Sequence, residues 1–270
     1  MAKFLMCSPM HYGIEYSINP WMHPDEWKQD DYGLALEQWS KLRMKLTELG
    51  HEVVTIEGVA HLPDMVFAAN GGLVLRDIAA YTFFRYEERR KEHLHWDQWF
   101  MDHFQWTLVP RVIQEGSGDA LFDQYRNYLW TGYGQRSDKG SFKHHKDTFK
   151  VIDVVELELI DRTFYHLDTC FCPLRRGEVL WYPEAFSENS QQIVKWAVPE
   201  DKLYRLSDGE AYAFAANAIN IDDDIIMPSK TLIHREILED LWGYKVHELD
   251  VSAFLKAGGG PACLVLRLDR

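Results

Sequence analysis

The chain has 270 residues, of which 46% are hydrophobic and 26% charged. Its 29 Lys and Arg against 42 Asp and Glu give a formal charge of −13, which argues against a nucleic-acid partner, because such binding rests on clustered cations that displace phosphate counterions. Four cysteines are too few for a disulfide scaffold, and no window approaches the ~18 consecutive apolar residues of a membrane span. The first residues, MAKFLMCSPMHYG, lack the charged, apolar and small-residue layout of a signal peptide, so a cytoplasmic protein is expected.

In chain order, FLMCSP (4–9) reads as a strand, residues 25–50 as a segment holding a helix that stops at Gly50, and HEVVTIEG (51–58) as a second strand. A pattern then recurs: a small or polar residue, an Asn or Asp, and an apolar β-type run. It appears as AANGGLVL around Asn70, GSGDALF around Asp119, HLDTCFCPL around Asp168 and AANAINI around Asn217, each copy 49 residues after the last. A fifth copy, GGGPACLVLRL, puts Cys263 a further 46 residues on. Equal periods of this kind mark a supersecondary repeat.

Each copy opens a β-hairpin. ALFDQ pairs with NYLWTGY, TCFCPL with EVLWYP across Arg175-Arg176-Gly177, and AINI with IIMPS across Asp222–Asp224. Helical stretches follow at 87–104 and 230–243, the latter with Leu232, Ile233, Ile237, Leu238 and Leu241 on one face and Gly243 as its stop. The strands WTLVP, VVELELI, KLYRL and KVHEL close the units. The chain ends soon after CLVLRL, so the fifth unit is expected to borrow the N-terminal strand, helix and strand. That closure would leave no exposed sheet edge within the ring. The fold class is therefore α/β: a five-bladed α/β propeller of pseudo-fivefold ββαβ repeats, one domain over 1–270.

A ring brings equivalent positions to its axis. Asn70, Asp119, Asp168, Asn217 and Cys263 should converge there, with His166 beside Asp168 and Glu115 in the turn before Asp119. A thiol, an imidazole and several carboxylates in one pocket suit nucleophilic chemistry on a cation. Gly258–Gly260 before Cys263 permit close backbone approach. Asn217 reads as a turn-forming repeat residue, and Asp64 after Pro63 either caps a turn or touches substrate. Cys170 and Cys172 read as core without a zinc partner set, and His93, His95, His144 and His145 as solvated side chains. Trp21 stands close enough to Asn19 to border the pocket.

At INPWM (18–22), PDMVFAANGGLVL (63–75), EGSGDALF (115–122), FYHLDTCFCPL (164–174), NAINIDDDIIM (217–227) and FLKAGGGPACLVLRL (254–268) the sequence resembles the guanidine-modifying enzymes, the pentein superfamily. These are arginine deiminases, dimethylarginine dimethylaminohydrolases, amidinotransferases and arginine dihydrolases, built as five-bladed propellers. The resemblance implies Cys263 as nucleophile toward a guanidinium carbon and His166 as acid and base. It implies Glu115 as an electrostatic stabiliser, and Asp168, Asn70 and Asp119 around the guanidinium. Arg85 or Arg136 would pair with the substrate α-carboxylate, with Asn19 at the same end. No metal or cofactor is implied. Asn70 replaces the Asp usual in deiminases, which favours the dihydrolase outcome (ornithine, carbon dioxide and ammonia) over citrulline. A deiminase, a dimethylaminohydrolase and an amidinotransferase stay as alternatives. From another class, the ribosome anti-association factors share the propeller but lack the Cys, His and carboxylate set. The expected partner is thus a small guanidino substrate, with no nucleic acid and no membrane, and nothing in the sequence sets an oligomeric state.

Overall fold

A computed structural model describes residues 1–110, 112–229, 231 and 236–269. Strand β1 (Lys3–Cys7), helix α1 (Gln29–Glu48) and strand β2 (Glu52–Ile56) come first. The hairpin β3 (Gly72–Leu75) and β4 (Ile78–Tyr81) leads through α2 (Glu87–Arg90) and α3 (His93–His103) to β5 (Trp106–Leu108). The next unit runs β6 (Ala120–Asp123), β7 (Tyr128–Tyr133), α4 (Lys146–Phe149) and β8 (Asp153–Glu158). The third holds β9 (Phe171–Pro173), β10 (Val179–Trp181), α5 (Glu188–Ala197) and β11 (Leu203–Arg205). After α6 (Asp208–Tyr212) come β12 (Ile219–Ile221), β13 (Asp224–Pro228) and β14 (Lys245–Leu249), then α7 (Ser252–Leu255) and β15 (Leu266–Arg267).

Five three-stranded sheets result among the described residues. In each, the middle strand pairs antiparallel with the inner strand of its hairpin and parallel with the outer one, as β4 does with β3 and β5. A parallel neighbour requires a crossover, and the helix of each unit supplies it. β1 is the middle strand of the fifth sheet, antiparallel to β15 and parallel to β2, so the two ends of the chain close the ring as the repeat predicts. Burial follows position: β3 is buried throughout, whereas outer β2 and β14 hold only exposed and half-buried residues. That explains why inner strands read as unbroken apolar runs and outer ones carry charge. The inner strands of all five sheets, through Leu73, Leu121, Phe171, Ile219 and Arg267, line a small axial cavity of about 80 Å³. The structure is thus a five-bladed α/β propeller. Among the described residues no helix is long and apolar enough to cross a membrane.

Several turns carry the backbone the sequence predicts: Asn127, Gly177 and Asp222 have φ of 54°, 93° and 54° at the hairpin tips. Other expectations need correction. The helix expected over 87–104 is two pieces, because Arg89 and Glu92 turn inward where the chain bends. The helix expected over 230–243 has Leu232 and Ile233 outside the described residues. Its described part, Glu236–Leu241, is π-helical, with Leu238 buried but Leu241 71% exposed, so the apolar face does not extend to Leu241. Gly243 does end this segment in the left-handed region. His145 is buried, its ring against Phe149, and not solvated, because the polar loop folds back over the core.

Candidate active site

Before each of the five inner strands the chain makes a short turn, and three of these are single 3₁₀ turns: Ala68–Gly71, Gly116–Gly118 and Leu167–Thr169. These turns face the axis and carry or adjoin the repeat residues. Gly118 fits between Asn70 and His166: an added Cβ would stand 2.3 Å from Asn70 Nδ2 and 3.3 Å from the His166 ring. The repeat residue also ties one unit to the next. Asp119 Oδ1 accepts from the Leu167 N–H at 3.0 Å, and its Oδ2 accepts from Ser137 Oγ at 2.7 Å.

Cys263 is 2% exposed. Its thiol donates to Asp168 Oδ2 at 3.3 Å and accepts from Asn217 Nδ2 at 3.0 Å. Burial pushes this thiol well above its ordinary pKa and the Asp168 charge adds to that, while the Asn217 hydrogen bond pulls the other way. Burial raises Asp168 as well, to about 7, against the opposing hydrogen bonds from Cys263 and Asn217. The second oxygen of Asp168, Oδ1, is buried and accepts no hydrogen bond.

His166 Nε2 lies 2.9 Å from Glu115 Oε2 and 3.9 Å from Asp119 Oδ2. Glu115 is fully buried, yet burial loses there: Arg136 at 2.8 Å and His166 hold its carboxyl well below the usual range. Glu115 is therefore a fixed anion. Asp119, with burial dominant, rises to about 6.

Arg136 is clamped between the rings of Tyr86 and Tyr165, 4.9 and 4.7 Å from their centres. It lines a cleft of about 300 Å³ together with Ile18, Asn19, Tyr86, Arg162 and Tyr165. Asn19 holds the rim, donating to Ala257 O at 3.1 Å and accepting from the Trp21 N–H at 2.8 Å. Trp21 itself donates to Thr163 O at 2.9 Å beside that rim.

Of the expected site residues, Cys263, His166, Glu115, Asn70, Asp168 and Asp119 come together around the axis, and Asn19 and Arg136 share the cleft. Arg85 has a different place. Its guanidinium bonds Asp138 at 2.6 Å and the Arg136 carbonyl at 3.1 Å, so it braces the loop that carries Arg136. The second buried guanidinium is Arg89, which the sequence reading left in a charged helix. It bonds Asn70 Oδ1 at 2.8 Å and the Asp64 carbonyl at 3.0 Å, and is paired with Glu92 at 2.8 Å. Nothing local marks it out, because its partner Asn70 lies 19 residues earlier. With Arg89 on Oδ1, Asn70 keeps an unpartnered Nδ2, and buried Asp64, next to Tyr16, keeps an unpartnered Oδ1. The pocket thus offers a thiol, an imidazole on a fixed anion, two carboxylate oxygens without donors and one amide donor without an acceptor. Cys170 and Cys172 are buried in the core of the third blade.

Against known proteins, the family model described as N,N dimethylarginine dimethylhydrolase, eukaryotic, matches residues 17–270. The chain is 42% identical to the bifunctional arginine dihydrolase/ornithine cyclodeaminase ArgZ of Synechocystis sp. over 98% of its own length and 37% of that protein's. It is 38% identical to the bifunctional AgrE of Nostoc sp., again over 98% of this chain and 38% of the relative. The chain therefore spans well under half of these two relatives. The N(G),N(G)-dimethylarginine dimethylaminohydrolase of Mycobacterium tuberculosis is 32% identical over 98% of this chain and 85% of its own. Among solved structures, a substrate-bound mutant of the ArgZ N-terminal domain superposes with a TM-score of 0.92 at 38% identity, covering 100% of this chain and 99% of that one.

Proposed function

Because the chain belongs to the N,N-dimethylarginine dimethylhydrolase family, we propose that it hydrolyses the guanidino group of free arginine to ornithine, carbon dioxide and two molecules of ammonia. The observation that carries this reading is the Cys263 thiol against a buried carboxylate, Asp168, whose Oδ1 still lacks a donor. A guanidinium supplies planar N–H donors and a positive charge to such an oxygen. Its arrival beside Asp168 and Cys263 favours both anions, so the substrate itself helps to ionise the nucleophile.

In this reading the Cys263 thiolate attacks the guanidinium carbon, forming a C–S bond. His166, hydrogen-bonded to Glu115 at 2.9 Å, protonates the nitrogen that leaves as ammonia when its C–N bond breaks. Now neutral, His166 takes a proton from water, which adds to the carbon and releases the thiolate with a ureido product. A second round on that ureido carbon frees a second ammonia and leaves a carbamate that loses carbon dioxide. Two waters are consumed per arginine. Arg136, fixed between two aromatic rings at the cleft, holds the α-carboxylate, with Asn19 keeping the rim in place. Asn70 keeps a neutral donor toward the reacting carbon, where an Asp would add a third carboxylate. Residues 1–270 act as one catalytic domain, placed in the cytoplasm.

The family match supports a second reading, in which methylated arginine is the substrate and citrulline the product. Incubation of the protein with L-arginine, following ornithine, citrulline and ammonia together, separates them. The proposal expects ornithine with two ammonia per arginine, and loss of turnover in Cys263→Ala. Citrulline with one ammonia, or turnover of dimethylarginine alone, would overturn it.

A further inference from the structure

Asn217 is fully buried one blade away from the nucleophile, and every polar atom of its side chain is committed to the Cys263 loop or to Asp168. Oδ1 accepts from the Gly260 N–H at 3.0 Å and the Cys263 N–H at 3.3 Å. Nδ2 donates to the Asp168 carbonyl at 3.0 Å and to Cys263 Sγ at 3.0 Å. An amide has two acceptor sites and two donor hydrogens, so the set is complete. The backbone takes part too, since Ala262 N–H donates to Asn217 O at 3.4 Å. Gly260 makes the approach possible: a Cβ there would lie 2.8 Å from Asn217 Oδ1, inside contact distance.

We propose that Asn217 is the positioning residue of the nucleophile, fixing Cys263 by its backbone and donating to its sulfur as the thiolate forms. An Asp in its place has no donor for the sulfur and brings a negative charge to it. An Ala keeps neither function. Gln carries the same amide one methylene further out, too far for this geometry. A hydrogen bond to an anion is stronger than one to its neutral form, so the amide favours the thiolate over the thiol. The inference deepens the reading of Cys263 as the attacking group and rests on it.

The test is the pH dependence of Cys263 alkylation by iodoacetamide, read by mass spectrometry of the Cys263 peptide, in wild type, Asn217→Ala and Asn217→Asp. The proposal expects the midpoint to rise by about one pH unit in the Ala variant, tenfold less thiolate at a given pH, and further in the Asp variant. With arginine, kcat should fall more than tenfold while KM changes less. An unchanged midpoint, with only thermal stability lowered, would overturn it. Where a variant fails to fold, ¹⁵N-labelled wild type decides. The Asn217 side-chain amide resonances should titrate with Cys263 and stop doing so in Cys263→Ala. Resonances that ignore Cys263 would overturn the proposal. Failure of the underlying reading looks different: arginine is not turned over by wild type, whatever Asn217 does to the alkylation profile.

Discussion

Asp168 holds the balance between stability and chemistry at the site. Its carboxyl is raised to about 7, chiefly by burial, so the native state binds its proton more tightly than the unfolded chain does. The sign follows from proton linkage. Stability is greatest where the group is protonated in both states, and it falls as pH rises from the ordinary carboxylate range to about 7. Asp168→Asn removes this contribution. Urea unfolding should show the variant gaining on wild type as pH rises, by on the order of 4 kcal/mol at about pH 8, with turnover lost by a hundredfold or more. Equal pH slopes in the two proteins would contradict the assignment. The ionised form is the one that receives a guanidinium, so kcat/KM for arginine should climb with pH through about 7. Arginine stays cationic throughout that range. The convergence of Asp168, Asn70 and Cys263 was legible from their spacing alone. Which atoms remain without partners was not, because Arg89 and Asn217 reach the site from segments whose local sequence reads as a charged helix and an ordinary turn.

Hairpins translate most directly from sequence to structure in this protein. The β6–β7 tip shows why they also matter between blades. Asp123 accepts from the Arg126 N–H at 3.0 Å, from the Arg126 guanidinium at 2.8 Å and from Trp130 Nε1 at 3.1 Å. Arg126 in turn reaches the Gly177 carbonyl at 2.7 Å and the Ala197 carbonyl at 3.1 Å in the next blade. Asp123→Ala leaves that guanidinium buried without its anion. The expected cost is about 3–5 kcal/mol, seen as a lower urea midpoint with an unchanged m-value. Asn127 at this tip and Gly177 at the next announce themselves, because their left-handed backbone calls for Asn, Asp or Gly. The helices were less legible. EERRKEHLHWDQWF carries a continuous helical pattern, but the burial of Arg89 and Glu92 against Asn70 and Trp96 breaks it. A charged run gives no local sign of a partner that distant.

At the scale of the whole molecule, the ring is what makes a site from residues spread over nearly the entire chain. Each blade contributes to the centre: Asn70, then Glu115 and Asp119, then His166 and Asp168, then Asn217, then Cys263. The fifth blade exists only because β15 and β1, from opposite ends of the chain, share a sheet. The 49-residue period foretold that closure, since repeats of one supersecondary unit bury their faces only against each other. The period could not distinguish residues that meet the substrate from those that join blades, as Asp119 joins its own to the next through Leu167. The family resemblance left Arg85 and Arg136 as equal candidates for the α-carboxylate, although Asp138 draws one away and two aromatic rings hold the other in the cleft. The central claim is that Cys263 bonds covalently to the guanidino carbon. It is tested most directly by acid-quenching the wild-type protein while it turns arginine over and measuring the mass of the Cys263 peptide. The account predicts an added amidino-bearing group on that peptide and none in Cys263→Ala. An unmodified Cys263 peptide from protein that has bound arginine would contradict it.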